Sequence, residues 1–420
     1  MKQKLYFLYS TLVGITIFLS SCKVRERIPA PSTPADSTTM DTVWRTQIND
    51  YSITPMLNSE GDVLSSKMFS SSGEVFQLFD GKTGKLKWEW KDYFSPESGF
   101  KGSNHVLYKD VLVLSRKNTS YAVDAITGKT IWRDYQNDLF GDNFLTGDED
   151  GFIYHSFRPM NLDNRFVYIW RTRYDQLSWE QVCVFEEPMP LDRIRTGNMI
   201  IAKNKEGEKV LIYTLHIFRE INGETKEMSR VIAYNLHTRK VIWNHDNSKQ
   251  DINLTFWKTS MVSKGNTVFI FGVIGQEYVL NAYQVDTGKL LWSKSIPDFG
   301  LGLYLYKDLI IPLINRTRMV EALDINTGNA KWVQPFNDKP IYQINFDFDD
   351  SKVYKNFLIS TVCDKLLALD LENGRVVYYE KPKVMYNCLQ YGLAINEDKR
   401  WFYIQDRKFI NCYKIPFQIK

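Results

Sequence analysis

The sequence predicts an all-β protein: an eight-bladed β-propeller of four-stranded antiparallel blades, closed by N-terminal strand pairing with the C-terminal blade. Three observations predict it: a regular return of tryptophan, a shared phrase around each tryptophan, and complementary half-phrases at the two ends. Trp44, Trp88, Trp132, Trp179, Trp243, Trp292 and Trp332 follow one another at steps of 44, 44, 47, 64, 49 and 40 residues, and Tyr378 takes the next place 46 further on. A period of about 40 to 50 residues marks a closed repeat array, and propeller blades are the commonest such unit.

The phrase runs small residue, x, Asp, x, x, Thr, Gly, Lys, x, x, Trp. It reads Ala122-Val123-Asp124-Ala125-Ile126-Thr127-Gly128-Lys129-Thr130-Ile131-Trp132, and returns from Ala282 to Trp292, with Gln284 for the Asp, and from Ala322 to Trp332. Short alternating runs on either side make it a β-hairpin. The Gly takes the φ > 0 position of a type I turn with a bulge, and Asp and Thr satisfy turn backbone groups. The Ala leaves room against a neighbouring sheet, which a Trp from the next blade is expected to fill. Truncating such a Trp costs about 3–5 kcal/mol.

The remaining copies fall in frame. Leu78 to Trp88 is nearly complete, and Ala233 to Trp243 has Arg239 where Gly is expected. Ala368 to Tyr378 has Asn373 for Thr and Tyr for Trp. Ile169 to Trp179 keeps the interval and the Trp but lacks Asp and Thr-Gly, and is placed by register alone. Strands are expected over 111–115, 210–215, 267–273 and 356–362. Trp44 has no hairpin partner ahead of it, while 407–415 resembles the first strand of the phrase with no second strand after it. Residues 42–48 are therefore expected to be the outer strand of a final blade built from 386–415, which leaves no free edge between first and last blades.

Residues 1–21 read as a lipoprotein signal peptide. Lys2 and Lys4 precede an apolar run from Leu5 to Leu19, too short for a membrane span. Leu19-Ser20-Ser21-Cys22 resembles the lipobox of bacterial lipoproteins, which implies lipidation at Cys22 and stable anchoring. An ordinary secretory signal with an incidental Cys is the alternative. Residues 22–42 read as a lipid-anchored flexible linker, with Pro29, Pro31 and Pro34 among Ser and Thr. Residues 43–420 are the propeller. No acidic cluster follows Cys22; in one Gram-negative phylum such a cluster resembles a surface-export signal, so the expectation is an outer-membrane protein facing the periplasm. Loss of Lys2 and Lys4 with the leader lowers the formal net charge from +4 to +2. That balance gives no sign of nucleic-acid binding.

The phrase resembles the repeat of pyrroloquinoline-quinone (PQQ) type propellers, and copies of varying quality run from Trp44 to the C-terminus. The resemblance implies fold more than activity. One branch of the family is periplasmic quinoprotein dehydrogenases; the other is cofactor-free scaffolds, including the BamB lipoproteins of the outer-membrane β-barrel assembly machinery.

The dehydrogenase branch typically has adjacent cysteines, a Ca²⁺ on oxygen ligands and a catalytic Asp. Here Cys183, Cys363, Cys388 and Cys412 are all separate and are read as free thiols. Asp347, Asp349 and Asp350 have hard-cation chemistry but lack the Gly and distal Glu of an EF-hand loop, and are read, like Asp148-Glu149-Asp150, as a solvated acidic turn. His105, His155, His216, His237 and His245 show no paired-ligand spacing, and no Gly-x-Ser-x-Gly elbow or phosphate loop occurs. The expectation is therefore no catalytic residue, no metal and no cofactor.

A scaffold for envelope proteins, with the assembly machinery as its most specific partner, is the first expectation. A PQQ-dependent dehydrogenase and a glycan- or peptide-binding propeller are the alternatives. Three loops are candidate partner sites because insertions on repeat scaffolds concentrate binding. The long step from Trp179 to Trp243 places an excess at 218–229, with Arg219, Ile221, Lys226 and Met228 as contacts. Phe94 and Phe100 mark the link between blades 1 and 2, and Met189 the link between blades 3 and 4. Trp170 and Trp257 lie off the interval, with core packing the default for both.

Overall fold

The computed structural model describes residues 41–48, 54–69, 73–92, 104–116, 119–135, 139–159, 165–186, 193–246, 261–274, 277–298, 300–314, 319–336, 346–362, 365–380, 392–405 and 408–416. Cys22, the leader and the linker up to residue 40 lie outside them, as do Phe94, Phe100, Met189, Trp257, Cys363 and Cys388. Every strand among the described residues belongs to one of eight four-stranded antiparallel sheets, and no helix occurs there.

Seven blades follow chain order: blade 1 (56–90), blade 2 (104–135), blade 3 (139–186), blade 4 (193–246), blade 5 (261–296), blade 6 (300–335) and blade 7 (346–380). Blade 8 takes its first three strands from the C-terminus (Gly392–Asn396, Trp401–Gln405 and Phe409–Lys414) and its outer strand, Thr42–Gln47, from the N-terminus. Trp44 pairs with Cys412 and Thr42 with Tyr413, so the split phrase is completed across the closure. The latch is held at both ends, Ile48 N donating to Lys408 O at 2.6 Å and Lys414 N to Asp41 O at 3.2 Å.

The hairpin chemistry is as expected. Gly84, Gly128, Gly288, Gly328 and Gly374 all have φ between +68° and +76°. In blade 2, Asp124 Oδ1 accepts from the N–H of Ile126 (2.8 Å) and of Thr127 (2.9 Å), and the register slips between Ala122 and Val123. The cores lie between blades. Leu64, Phe76, Leu78 and Trp90 of blade 1 pack on Leu112, Leu114, Tyr121 and Val123 of blade 2.

The seat of the tryptophan corrects the expectation. Each phrase Ala lies opposite its own Trp, as Ala122 does opposite Trp132. What the Trp lies against is the following blade's turn. Trp88 Nε1 donates to Ile126 O at 3.0 Å, and a Cβ at Gly128 would stand 2.7 Å from the Trp88 ring. The glycine is thus required twice, for its backbone and for the indole above it.

Three further expectations are corrected. In blade 3 the residue opposite Ile169 is Cys183, not Trp179, because the turn is four residues longer than in the other copies. Trp179 turns back instead onto blade 2, donating to Asp134 Oδ2 at 2.7 Å and meeting Trp132 edge-on at 6.4 Å. Asp347, Asp349 and Asp350 lie in the strand Phe346–Tyr354 and form no turn, although its register with Phe357–Val362 is irregular between Phe346 and Ser351. Asp148 does sit in a turn, but it is buried: its Oδ2 accepts from Tyr154 OH at 3.1 Å and from Lys209 Nζ of blade 4 at 2.9 Å.

Candidate functional site

Blade 4 departs most from its neighbours. Its second and third strands, Lys209–Ile221 and Glu224–Asn235, have 13 and 12 residues, against five to eight in the other blades. They pair without a break out to Ile221 and Glu224. Asn222 and Gly223, at φ +56° and +79°, close them in the mirror-image turn that matches strand twist. The segment that the sequence marks as an insertion is therefore a stiff hairpin.

Burial divides that hairpin into a root and a tip. At the root, Ile217 and Met228 are buried with Val167, Ile194 and Leu215. Met228 is thus a core residue, 6% exposed, and is removed from the candidate contacts, because it points back between blades 3 and 4. The first strand accompanies the hairpin as far as the pair Arg193 and Phe218, and the outer strand as far as Arg230 and Asp246. Beyond them Arg219, Ile221 and Lys226 lie on a two-stranded tip, with residues 222–225 exposed. Four residues of strand carry this tip about 13 Å beyond the root.

Strand direction fixes which face the tip occupies. The turn at 222–223 joins a second strand to a third, whereas the Thr-Gly turns join third to fourth at the other end of each blade. Thr42 pairs beside Tyr413, at the Thr-Gly end of blade 8. The N-terminal segment therefore enters the ring on the face opposite the hairpin.

A surface feature absent from the sequence expectations is the apolar rim. Ile131, Val241, Ile242, Leu290, Leu291 and Val377 are exposed on outer strands. Their signal was present, since they fill the two variable places between Lys and Trp in the phrase. Those places read as strand interior until the strand is known to be outermost.

Two of the histidines and two of the cysteines are tied into the packing between and within blades. His155 is buried against Ser115, 3.2 Å away, and against the Phe157 ring. His245 lies on an outer strand, with its Nε2 2.6 Å from Gly288 O of the next blade. Burial pushes the thiols of Cys183 and Cys412 up to about 12, and both are free. Among the described residues no group of three His, Cys, Asp or Glu is arranged to hold a metal. The indole of Trp170 stays half-buried within the inner sheet of blade 3.

Comparison with known proteins follows the architecture. A family model described as outer membrane protein assembly factor BamB matches residues 34–148 and 227–381. The chain belongs to this BamB-type PQQ-repeat family. Residues 149–226, which lie between the two matched stretches, hold the last three strands of blade 3, where the phrase is lost, and the first two strands of blade 4. No curated protein matches the chain. Among solved structures, BamB from Moraxella catarrhalis is similar at 11% identity, covering 90% of this chain and 100% of its own, with a TM-score of 0.51. Sqt1 from Saccharomyces cerevisiae is similar at 11% identity over 90% of this chain and 100% of its own, with a TM-score of 0.57. The Dos1 propeller gives 10%, 91%, 96% and 0.55. At these identities the likeness is one of fold.

Proposed function

We propose that this BamB-family chain is a non-catalytic propeller scaffold, lipid-anchored at Cys22 to the periplasmic side of the outer membrane, that docks other envelope proteins. Support of outer-membrane β-barrel assembly is its most specific form. The observation that carries the reading is the stiff, charged hairpin tip of blade 4, held on the face opposite the entry of the N-terminal segment. A tether entering there leaves the tip directed toward partners. The apolar outer strands add further protein-contact surface. The buried thiols, the hydrogen-bonded histidines and the fold-only likeness to BamB support a binding role over a chemical one.

The test is site-specific photo-crosslinking from Arg219 and Lys226 in the native envelope, followed by identification of the adducts. Adducts with barrel-assembly components are the expected result. Adducts confined to lipid, or none, would overturn the reading. Reduction of an acceptor dye after PQQ and Ca²⁺ addition would overturn the non-catalytic part.

A further inference from the structure

In blades 1, 2, 4 and 5 the outer strand opens with a lysine and one or two apolar residues: Lys85-Leu86, Lys129-Thr130-Ile131, Lys240-Val241-Ile242 and Lys289-Leu290-Leu291. The apolar ones are 38–53% exposed. A bulge turns successive places outward. Ala282 pairs with Trp292 and Tyr283 with Leu290, so Leu291 is the extra residue, and Ile242 and Ile131 are extra in the same way. All of them lie at the Thr-Gly end, where outer strands begin. In blade 8 that place belongs to Thr42, two before Trp44 as Leu86 is two before Trp88. The N-terminal segment therefore joins the ring from within this rim.

The charges at the rim differ in how they are engaged. The turn acids are held by their own turns: Asp80 Oδ1 accepts from the N–H of Thr83 at 2.8 Å, and Asp124 Oδ1 from that of Thr127 at 2.9 Å. The acids of blade 3 on this face are held by blade 4, Asp148 by Lys209 at 2.9 Å and Glu149 by Lys203 at 2.6 Å. Glu397 and Asp398 lie nearer the channel, in the turn between the first two strands of blade 8. Lys85, Lys129, Lys240 and Lys289 are exposed, and among the described residues none of them makes an ion pair. The rim thus presents aliphatic side chains beside uncompensated positive charge.

We propose that this rim lies on the surface of the lipid bilayer, with its aliphatic side chains among the headgroups and its lysines on anionic lipid. The inference rests on the lipid-anchored reading above and gives the ring an orientation: Thr-Gly face on the membrane, blade 4 hairpin away from it. The anchor supplies proximity, so a surface too weak to recruit a free protein suffices. Two features favour lipid over a strand from another protein. A bulge and a lysine at the start of an outer strand keep that edge from adding a further strand. The exposed aliphatic places also recur in blades 1, 2, 4 and 5, which suits a broad, flat partner. Tyr135, Val184 and Val333, exposed farther along their outer strands, are left for protein contact.

The experiment places a photo-crosslinking side chain at Leu290 or Val241 of the full chain in its native envelope, with the exposed Glu224 of the hairpin as the opposite-face control. Lipid adducts from Leu290 and Val241, and none from Glu224, are the expected result. The triple variant Lys129→Glu/Lys240→Glu/Lys289→Glu, changed only at exposed positions, should lose the rim adducts and keep its melting midpoint. Protein adducts from the rim, or none, would overturn the proposal, as would lipid adducts undiminished in the folded triple variant. The mass of the Cys22 peptide from the same preparation separates this outcome from the fate of the anchor. Acyl chains on Cys22 without lipid adducts at Leu290 and Val241 overturn the rim and leave the anchor; lipid adducts there without acyl chains support the rim and remove the anchor.

Discussion

Gly288 shows how much one residue carries in this repeat. Its φ of +68° excludes an unstrained side chain, and Trp243 occupies the space where a Cβ would go, 2.7 Å from the ring. Gly207, at φ +81°, has nothing within 4 Å of the same position. Gly207→Ala should therefore cost about 1 kcal/mol, the backbone term alone. Gly288→Ala should cost about 2–4 kcal/mol, because overpacking is added. Urea midpoints of the two variants measure the difference, and equal costs would remove the seat from the account. Charge acts at the same scale on the junction between blades 3 and 4. Within blade 3 the Arg171 guanidinium holds the Glu180 carboxyl below the usual range, and across the junction Lys209 of blade 4 does the same for Asp150. Both folded-state values are depressed, so the stabilisation is present above the ordinary values of 4.5 and 3.8 and is lost as pH falls through the folded ones. A fall in the urea midpoint below about pH 4, lessened in the variant Asp150→Asn, is the expected result.

The blade 4 hairpin is the element on which the proposed partner capture rests. Its root and tip separate cleanly, since Ile217 and Met228 are core and 222–225 are solvent-exposed. Replacing 219–226 by a two-residue Asn-Gly turn between Phe218 and Glu227 keeps the register and removes no residue of the buried cluster. Stability should change by less than about 1 kcal/mol, while co-purification of the partner is lost. A cut at 218–229, the limits suggested by the insertion in the sequence, would remove Met228 and Ser229 as well and damage the core. Unchanged partner capture by the shorter variant would move the docking surface elsewhere on the ring.

Closure belongs to the whole molecule. Truncation after Asp406 deletes Phe409–Lys414, the strand to which Thr42–Gln47 pairs, and with it Tyr413 and Ile415 of the cluster shared with blade 7. Two open edges and an exposed apolar face result. The expected product is aggregated or lacks a cooperative melt, and a melt near the parent midpoint would show that the ring does not depend on this latch. Closure also places the N-terminal segment on the Thr-Gly face, which is what gives the hairpin its orientation relative to an anchor.

The recurrence of Trp and the Thr-Gly turn determined the fold class, the blade count and the split last blade. Both signals are local: a hairpin of fixed length repeats its own turn chemistry wherever it stands, and Ala122 to Trp132 can be read without its surroundings. Lipidation at Cys22 and the contacts at Phe94, Phe100 and Met189 stay expectations of the sequence, since they fall outside the described residues. The tertiary structure alone decided where each side chain goes between blades. Trp179 fits the interval yet misses its place because a longer turn shifts the register, and Met228 reads as a loop residue yet lies in the core because the insertion is paired strand. The bond from each indole to a turn carbonyl of the next blade, as from Trp88 to Ile126 or Trp332 to Leu371, joins residues far apart in the chain, and no local pattern shows which of two neighbouring sheets an indole will choose. That choice, made by packing, seats the indoles of Trp44, Trp88, Trp132, Trp243, Trp292 and Trp332 each on a turn of the following blade.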